Sequence, residues 1–157
     1  MICFGMEGSG IMLRSYRNPS TFIPYFKDCI ICCECASGIL NLSTYDYTYL
    51  NFFYKLPKIF GDSLKTFAYY VYNVDEVDYS DTEEIEIDGT RLYITNEERT
   101  IMDMIKYECD DKMILQSIDE YIDRHGNTDK LYSLSEKYNN TDELEKYIED
   151  IGILWEC

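Results

Sequence analysis

The stretch of sequence that decides the fold reads Glu84-Ile-Glu-Ile-Asp88-Gly89-Thr-Arg-Leu-Tyr-Ile-Thr-Asn96-Glu-Glu98-Arg99-Thr100-Ile-Met-Asp103-Met-Ile105. Its first part alternates acidic and apolar residues, which is the pattern of a β-strand with one buried face. Asp88-Gly89 then predicts a tight turn, because both residue types accept a positive φ at little cost. Residues 91–94 return as a second strand. The stretch therefore predicts a β-hairpin that buries Ile85 and Ile87.

The same stretch ends in the beginning of a helix. Thr95 or Asn96 can cap the helix, and Glu98 is expected to accept backbone N–H groups in its first turn. Arg99 and Asp103 are i, i+4 neighbours, so they can pair on one helix face. Apolar residues follow at helical spacing, namely Ile101, Met104 and Ile105. The hairpin and the helix are thus expected to form one continuous unit.

The regions on either side of this stretch indicate an α+β fold. Downstream, helical spacing predicts three more helices over about 110–124, 128–138 and 141–151, the first of them closed by Gly126. Upstream, we expect a helix over about 32–42 and strands over 47–56 and 66–72. The prediction is an N-terminal helix and a small antiparallel β-sheet or hairpin, followed by a C-terminal helical bundle of about four helices.

The domain organisation follows from the same pattern. Residues 1–27 contain several Gly and Pro and are expected to form an irregular N-terminal arm, with either Met1 or Met12 as the natural start. Residues 28–95 form an α/β half with the hairpin, and residues 96–157 form an acidic helical half. No signal peptide and no apolar run long enough to span a bilayer is visible, which favours a cytoplasmic protein without a membrane partner.

Charge is concentrated in the second half of the chain. The net charge is −16; residues 1–74 hold 6 Lys and Arg against 5 Asp and Glu, whereas residues 75–157 hold 8 against 25. Because nucleic-acid binding needs cations to neutralise phosphates, this balance disfavours direct binding to nucleic acid and favours a protein partner with a basic surface. A simpler explanation of the excess acidic residues is that they only keep the protein soluble. The candidate partner-binding residues are Glu83, Glu84, Asp110, Asp111, Asp119, Glu120 and Asp123.

The sequence gives only weak signals for catalytic or metal-binding residues. Cys29-Ile-Ile-Cys32 has the spacing of a zinc knuckle, but no second pair has matching spacing, so buried thiols are the favoured interpretation. A redox or metal role for the cluster from Cys29 to Cys35 stays open. His125 is the only histidine, and its position at a helix end has a structural explanation. We expect no catalytic residues, no bound metal and no cofactor. The 16 Tyr could support a homodimer interface or fill the core.

The stretch from Glu84 to Ile105 resembles the AbiEi family of antitoxins, which belong to bacterial abortive-infection (type IV toxin–antitoxin) systems. That family has a hairpin with an Asp-Gly turn, then Ser/Thr-x-x-Glu-Arg-Thr-x-x-Asp at a helix start. The matching residues here are Asp88, Gly89, Glu98, Arg99, Thr100 and Asp103. The segment Glu34-Cys35-Ala36-Ser37 is similar to the family's Glu-Ser-Ala segment, and the resemblance covers about residues 28–150. The motif residues themselves are expected to be structural.

The resemblance implies a function in binding rather than catalysis. Family members usually begin with a winged helix-turn-helix that binds their promoter, and their cognate toxin is a nucleotidyltransferase. Residues 1–27 leave no room for such a module. We therefore expect an acidic protein-binding domain, not an enzyme, that neutralises a nucleotidyltransferase-type toxin by direct binding. The alternative is a phage or mobile-element inhibitor of bacterial defence, similar to an anti-CRISPR, that blocks a nucleic-acid-binding effector. A metal-dependent nuclease or transferase is the third possibility.

Overall fold

The computed structural model describes residues 28–44, 50–65, 69–87 and 90–155. This part of the chain is a mixed α/β structure. It contains six strands, β1 Ile30–Ile31, β2 Leu50–Tyr54, β3 Ser63–Lys65, β4 Tyr69–Asn73, β5 Thr82–Ile87 and β6 Thr90–Thr95. It also contains five α-helices, α1 Cys33–Ile39, α2 Glu97–Lys106, α3 Asp111–His125, α4 Asp129–Tyr138 and α5 Thr141–Trp155. A single 3-10 turn, Lys58–Phe60, precedes β3.

The strands form one mixed sheet in the order β3-β4-β2-β1-β6-β5. Two neighbouring pairs are parallel, β1 with β6 and β2 with β4, and the other three pairs are antiparallel. The sheet is thus larger than the small antiparallel sheet that the sequence predicts. The difference arises because β1 has only two residues, too few to show an alternating pattern within the cysteine-rich segment. The strand expected over 66–72 corresponds to β4, whereas the sequence does not predict β3, and residues 66–68 lie outside the described residues.

The predicted hairpin is present as β5 and β6. Its register pairs Glu84 with Tyr93 and Ile85 with Leu92. Ile85 is half-buried and Leu92 is buried. The turn residues Asp88 and Gly89, and the side chain of Ile87, lie outside the described residues. The hairpin therefore forms one side of the sheet, with β5 as its outermost strand.

The helix ends follow from local chemistry. The side chain of Asn96 caps α2 by accepting the backbone N–H of Arg99 at 2.9 Å. Asp110 caps α3 in the same way, accepting from Lys112 N at 2.9 Å. Gly126 ends α3 with a φ of +69°, a left-handed conformation that glycine adopts without strain. The helices α3 and α4 lie within a residue of their predicted bounds, whereas α1 is shorter than expected.

The core consists of two clusters of buried side chains. One cluster joins α2, α3, α4 and α5 to Ile30 of β1 and Phe53 of β2. The other joins the sheet to Cys35 and Ala36 of α1. Full burial of a Leu or Ile side chain stabilises a fold by about 1.5–3 kcal/mol, so these clusters supply the main driving force for folding. Helix α2 packs against α1, α3 and α4, and this central position fixes the residues at its start.

None of the helices in the described ranges combines the length and the apolar content that crossing a membrane requires.

Candidate functional site

The motif at the start of α2 is built around Arg99. Its Nε donates to Oδ2 of Asp103 at 3.2 Å, and the two side chains are only 6% and 3% exposed. Its Nη1 donates to the main-chain oxygens of Asp78 and Ser80, both at 2.6 Å. The guanidinium also lies 5.4 Å from the centre of the Phe53 ring. Arg99 therefore ties α2 to β2 and to the segment that leads into β5.

The carboxyl group of Asp103 is perturbed by its surroundings. Burial raises the pKa of Asp103 to about 6, against the opposing effect of the Arg99 charge and of a hydrogen bond from Tyr138. A buried carboxylate is tolerated only where it is paired and hydrogen-bonded, and both conditions hold here. The pair predicted from i, i+4 spacing is thus present, and the structure adds that it is buried.

A cleft of about 340 Å³ opens beside this ion pair. Cations and aromatic rings line it together: Nζ of Lys106 lies 5.4 Å from the Tyr107 ring centre and 5.8 Å from that of Tyr138. Lys137 reaches Asp81 at 3.5 Å. The described residues that line the cleft include the acids Glu76, Asp78 and Asp103 but no Ser, Thr, Cys or His.

The other motif residues also serve as internal links. Thr100 shares a hydrogen bond with Thr95 at 2.7 Å between their hydroxyl groups, and both residues are fully buried. The carboxylate of Glu98 accepts the Tyr121 hydroxyl at 2.8 Å. This partner differs from the backbone N–H groups that the sequence predicts, because Tyr121 of α3 packs over the first turn of α2. The motif residues of the described chain thus fix how α2 meets its neighbours.

Five of the candidate partner-binding acids lie on α3 or at its start, but four of them already have partners within the protein. Asp110 is the N-cap, Asp111 accepts the Tyr147 hydroxyl at 2.6 Å, and Glu120 pairs with Arg124 at 2.8 Å. Asp119 is half-buried and has a partner as well. Asp123 is exposed and has no hydrogen bond or ion pair with the described residues. It is the α3 acid best placed to meet another molecule.

The remaining two acids of the predicted set, Glu83 and Glu84, lie on β5 at the edge of the sheet and are exposed. The predicted surface is therefore divided between a sheet edge and a helix.

A groove of about 810 Å³ runs along α3, and sequence reasoning did not identify it. Its floor is apolar, with half-buried Met113 and Leu115 of α3 and buried Ile151 of α5. Gln116 accepts the Thr44 backbone N–H at 3.1 Å and closes one side. Asp110 and Asp119 stand at its rim. Helical spacing of residues 112, 116 and 119 could have indicated one exposed face. Thr44 and Ile151 are distant in sequence and reach the groove only through the tertiary fold.

The four cysteines between residues 29 and 35 form a buried thiol cluster. Cys29, Cys32, Cys33 and Cys35 are free and buried, and burial raises the pKa of the Cys32 thiol to about 11 and that of Cys35 to about 12. Such thiols stay protonated and poorly nucleophilic at neutral pH. Over the described ranges, no three His, Cys, Asp or Glu side chains converge as a metal site would require.

His125 takes part in a surface network at the end of α3. Its Nε2 lies 2.5 Å from Oε2 of Glu97, and its ring packs 4.3 Å from that of Tyr121, centre to centre. The position agrees with the structural explanation given by the sequence.

Comparison with known proteins adds no family: no protein-family model matches the chain, and the curated proteins contain no match.

Proposed function

We propose that this chain is an acidic protein-binding domain, resembling an AbiEi-type antitoxin, that neutralises a nucleotidyltransferase-type toxin by binding it directly. The observation that carries the proposal is the exposed surface of α5. Between Thr141 and Asp150 one cation, Lys146, is exposed beside five exposed acids. These are Asp142, Glu143, Glu145, Glu149 and Asp150.

The division between interior and surface supports this proposal. Arg99, Thr100 and Asp103 are buried, so these three motif residues contribute to the scaffold rather than to a contact surface. Contact with a partner falls to exposed charges such as Asp123 and the α5 acids. A dense negative surface attracts a basic partner and accelerates its association.

Toxin neutralisation provides the direct test. The chain is co-expressed with a nucleotidyltransferase encoded beside its gene, and growth is measured. We expect the wild type to restore growth and a variant with Asp123→Lys, Glu145→Lys and Glu149→Lys to fail. A variant with Lys130→Glu and Lys146→Glu, which changes two exposed cations of the same helical region, should still restore growth. Toxicity that the wild type leaves unchanged would exclude the antitoxin function.

The second candidate is an anti-defence inhibitor that occupies the nucleic-acid groove of an effector. The same row of carboxylates on α5 favours it, because closely spaced negative charges can substitute for phosphates. Such an inhibitor would compete with the effector's nucleic acid, and competition would weaken as salt screens exposed charges over about 8 Å at physiological ionic strength. Inhibition that is independent of both salt and nucleic-acid concentration would exclude it.

We also propose a finer organisation of the fold. The C-terminal helices form a bundle of about four helices that presents the acids, and residues 28–95 form an α/β half that supports this bundle. The proposed domain acts in the cytoplasm, without a cofactor and without catalysis. Limited proteolysis followed by mass spectrometry tests the division: cleavage between residues 95 and 97 that released a folded helical half would support two units.

A further inference from the structure

The two edges of the sheet differ in charge. Among the described strands, β3 and β5 are the outermost, and an edge strand exposes main-chain N–H and C=O groups that can pair with another strand. On the β5 edge, Glu83, Glu84 and Glu86 are exposed. At the β3 edge, Lys58 and Lys65 are exposed, with Asp62 as the one acid between them.

Exposed apolar surface occurs at the same two places. Only three large apolar or aromatic side chains are exposed in the described part of the chain. Ile59, which is 87% exposed, lies on the 3-10 turn just before β3. Tyr79 and Tyr93 pack edge to face at 5.0 Å beside β5, and Tyr93 is the cross-strand neighbour of Glu84. Each edge thus combines charge of one sign with an exposed apolar contact.

Strand direction makes the two edges geometrically compatible. The pairings place β1, β6 and β3 in one direction and β2, β4 and β5 in the other. A second copy shifted sideways along the sheet, without rotation, therefore brings its β3 antiparallel to the first copy's β5. Antiparallel pairing of opposite charges is the favourable arrangement between neighbouring strands.

We propose that β5 of one copy pairs with β3 of a second copy, so that the protein associates head to tail through its sheet edges. The contact is heterologous, and a sideways shift does not close on itself, so association continues past the dimer. Because β3 has three residues, the ladder is short and the association is weak. A symmetric β5–β5 contact would place acids opposite acids, which disfavours a closed dimer. This inference does not depend on the proposed function.

The experiment exchanges the charges of the two edges. One variant carries Glu83→Lys and Glu84→Lys, a second carries Lys58→Glu and Lys65→Glu, and a third carries all four changes and keeps the wild-type net charge. The matched control carries Glu136→Lys and Asp150→Lys, two exposed acids on α4 and α5. Weight-average mass is measured by sedimentation at rising protein concentration and physiological ionic strength, where the repulsion of the −16 net charge is screened. Circular dichroism checks that each variant is folded.

We expect the mass of the wild type and the control to rise beyond that of a dimer with concentration. Each double variant should stay monomeric, whereas the fourfold variant, or an equal mixture of the two double variants, should associate again. A wild type that stays monomeric, a mass that stops at the dimer, or a fourfold variant that behaves like the double variants would overturn the proposal.

Discussion

Arg99 and Arg124 make nearly the same set of bonds in two different surroundings. Each guanidinium pairs with a carboxylate four positions away, Asp103 or Glu120, and donates to two main-chain carbonyl oxygens. Arg124 also pairs with Glu97 at 2.8 Å. The side chain of Arg99 is 6% exposed, whereas that of Arg124 is 31% exposed. The two sites therefore separate the effect of burial from the effect of bonding.

The difference in exposure between Arg99 and Arg124 indicates which charges this fold needs. Around Arg99, removing one partner leaves the other charged and without water, which is costly. Around Arg124, water and salt can replace a lost partner, so the pair contributes little net stability. The charges that the fold needs most are therefore the interior ones.

Replacement of Arg99 is expected to have the largest effect. Arg99→Ala leaves Asp103 and the carbonyl oxygens of Asp78 and Ser80 without their donor, and we expect a loss of about 3–5 kcal/mol in the free energy of unfolding. Urea unfolding followed by circular dichroism measures it. A loss no greater than that of Arg124→Ala would show that burial does not separate the two sites.

The pH dependence of Asp103 is the next largest effect. Its pKa in the folded chain, about 6, exceeds the ordinary value of 3.8, so the folded state binds its proton more tightly than the unfolded state does. This group therefore adds stability that is complete below pH 4 and is lost as the pH rises through about 6. The loss is on the order of 3 kcal/mol, from about 1.4 kcal/mol for each pKa unit.

Asp103→Asn removes this titration. The difference in unfolding free energy between wild type and Asp103→Asn should shift in the mutant's favour between pH 4 and pH 6 and stay constant above pH 7. A difference that did not change with pH would mean that Asp103 has an ordinary pKa.

Arg124→Ala is expected to cost about 1 kcal/mol, because its ion pairs are partly exposed and its carbonyl partners can bind water. The cost should shrink further at high salt, which screens the pairs with Glu97 and Glu120. Thermal melting at low and high salt measures both effects. A cost that rises with salt, or one equal to that of Arg99→Ala, would contradict the comparison.

Charge reversal at Asp123 should change stability least. The side chain is exposed and has no bond within the described chain, so Asp123→Lys is expected to stay within about 0.5 kcal/mol of wild type. Asp111→Lys is the useful contrast, because Asp111 accepts the Tyr147 hydroxyl, and its loss should be larger. Equal melting temperatures for the two variants would show that this hydrogen bond contributes nothing.

Sequence periodicity predicted the parts of the fold that depend on local chemistry. The alternation at residues 84–94, the Asn96 cap and Gly126 each act within a few residues, and the Arg99–Asp103 pair follows from i, i+4 spacing. The parallel pairing of β1 with β6 could not be predicted, because a two-residue strand carries no pattern. The carbonyl partners of Arg99, on Asp78 and Ser80, lie in the acidic segment 75–81, which shows neither a helical nor a strand pattern.

For the candidate site, too, the sequence does not show tertiary contacts. Composition indicated an acidic surface, but it could not tell which acids already have partners inside the molecule. Asp110 and Glu120 look equivalent to Asp123 in the sequence, yet the first caps a helix and the second holds Arg124. The sheet-edge position of Glu83 and Glu84 depends on the order of all six strands, which is a property of the whole chain.

We propose that the buried motif residues maintain the fold while the exposed acids bind the partner. The test measures the affinity of Arg99→Lys, and of the variant with Asp123→Lys, Glu145→Lys and Glu149→Lys, for a nucleotidyltransferase encoded beside the gene of this protein, at a temperature where both variants are folded. We expect near wild-type affinity for Arg99→Lys despite a lowered melting temperature, and at least tenfold weaker binding for the charge-reversed variant at an unchanged melting temperature. Binding lost in a fully folded Arg99→Lys and retained after charge reversal would contradict it.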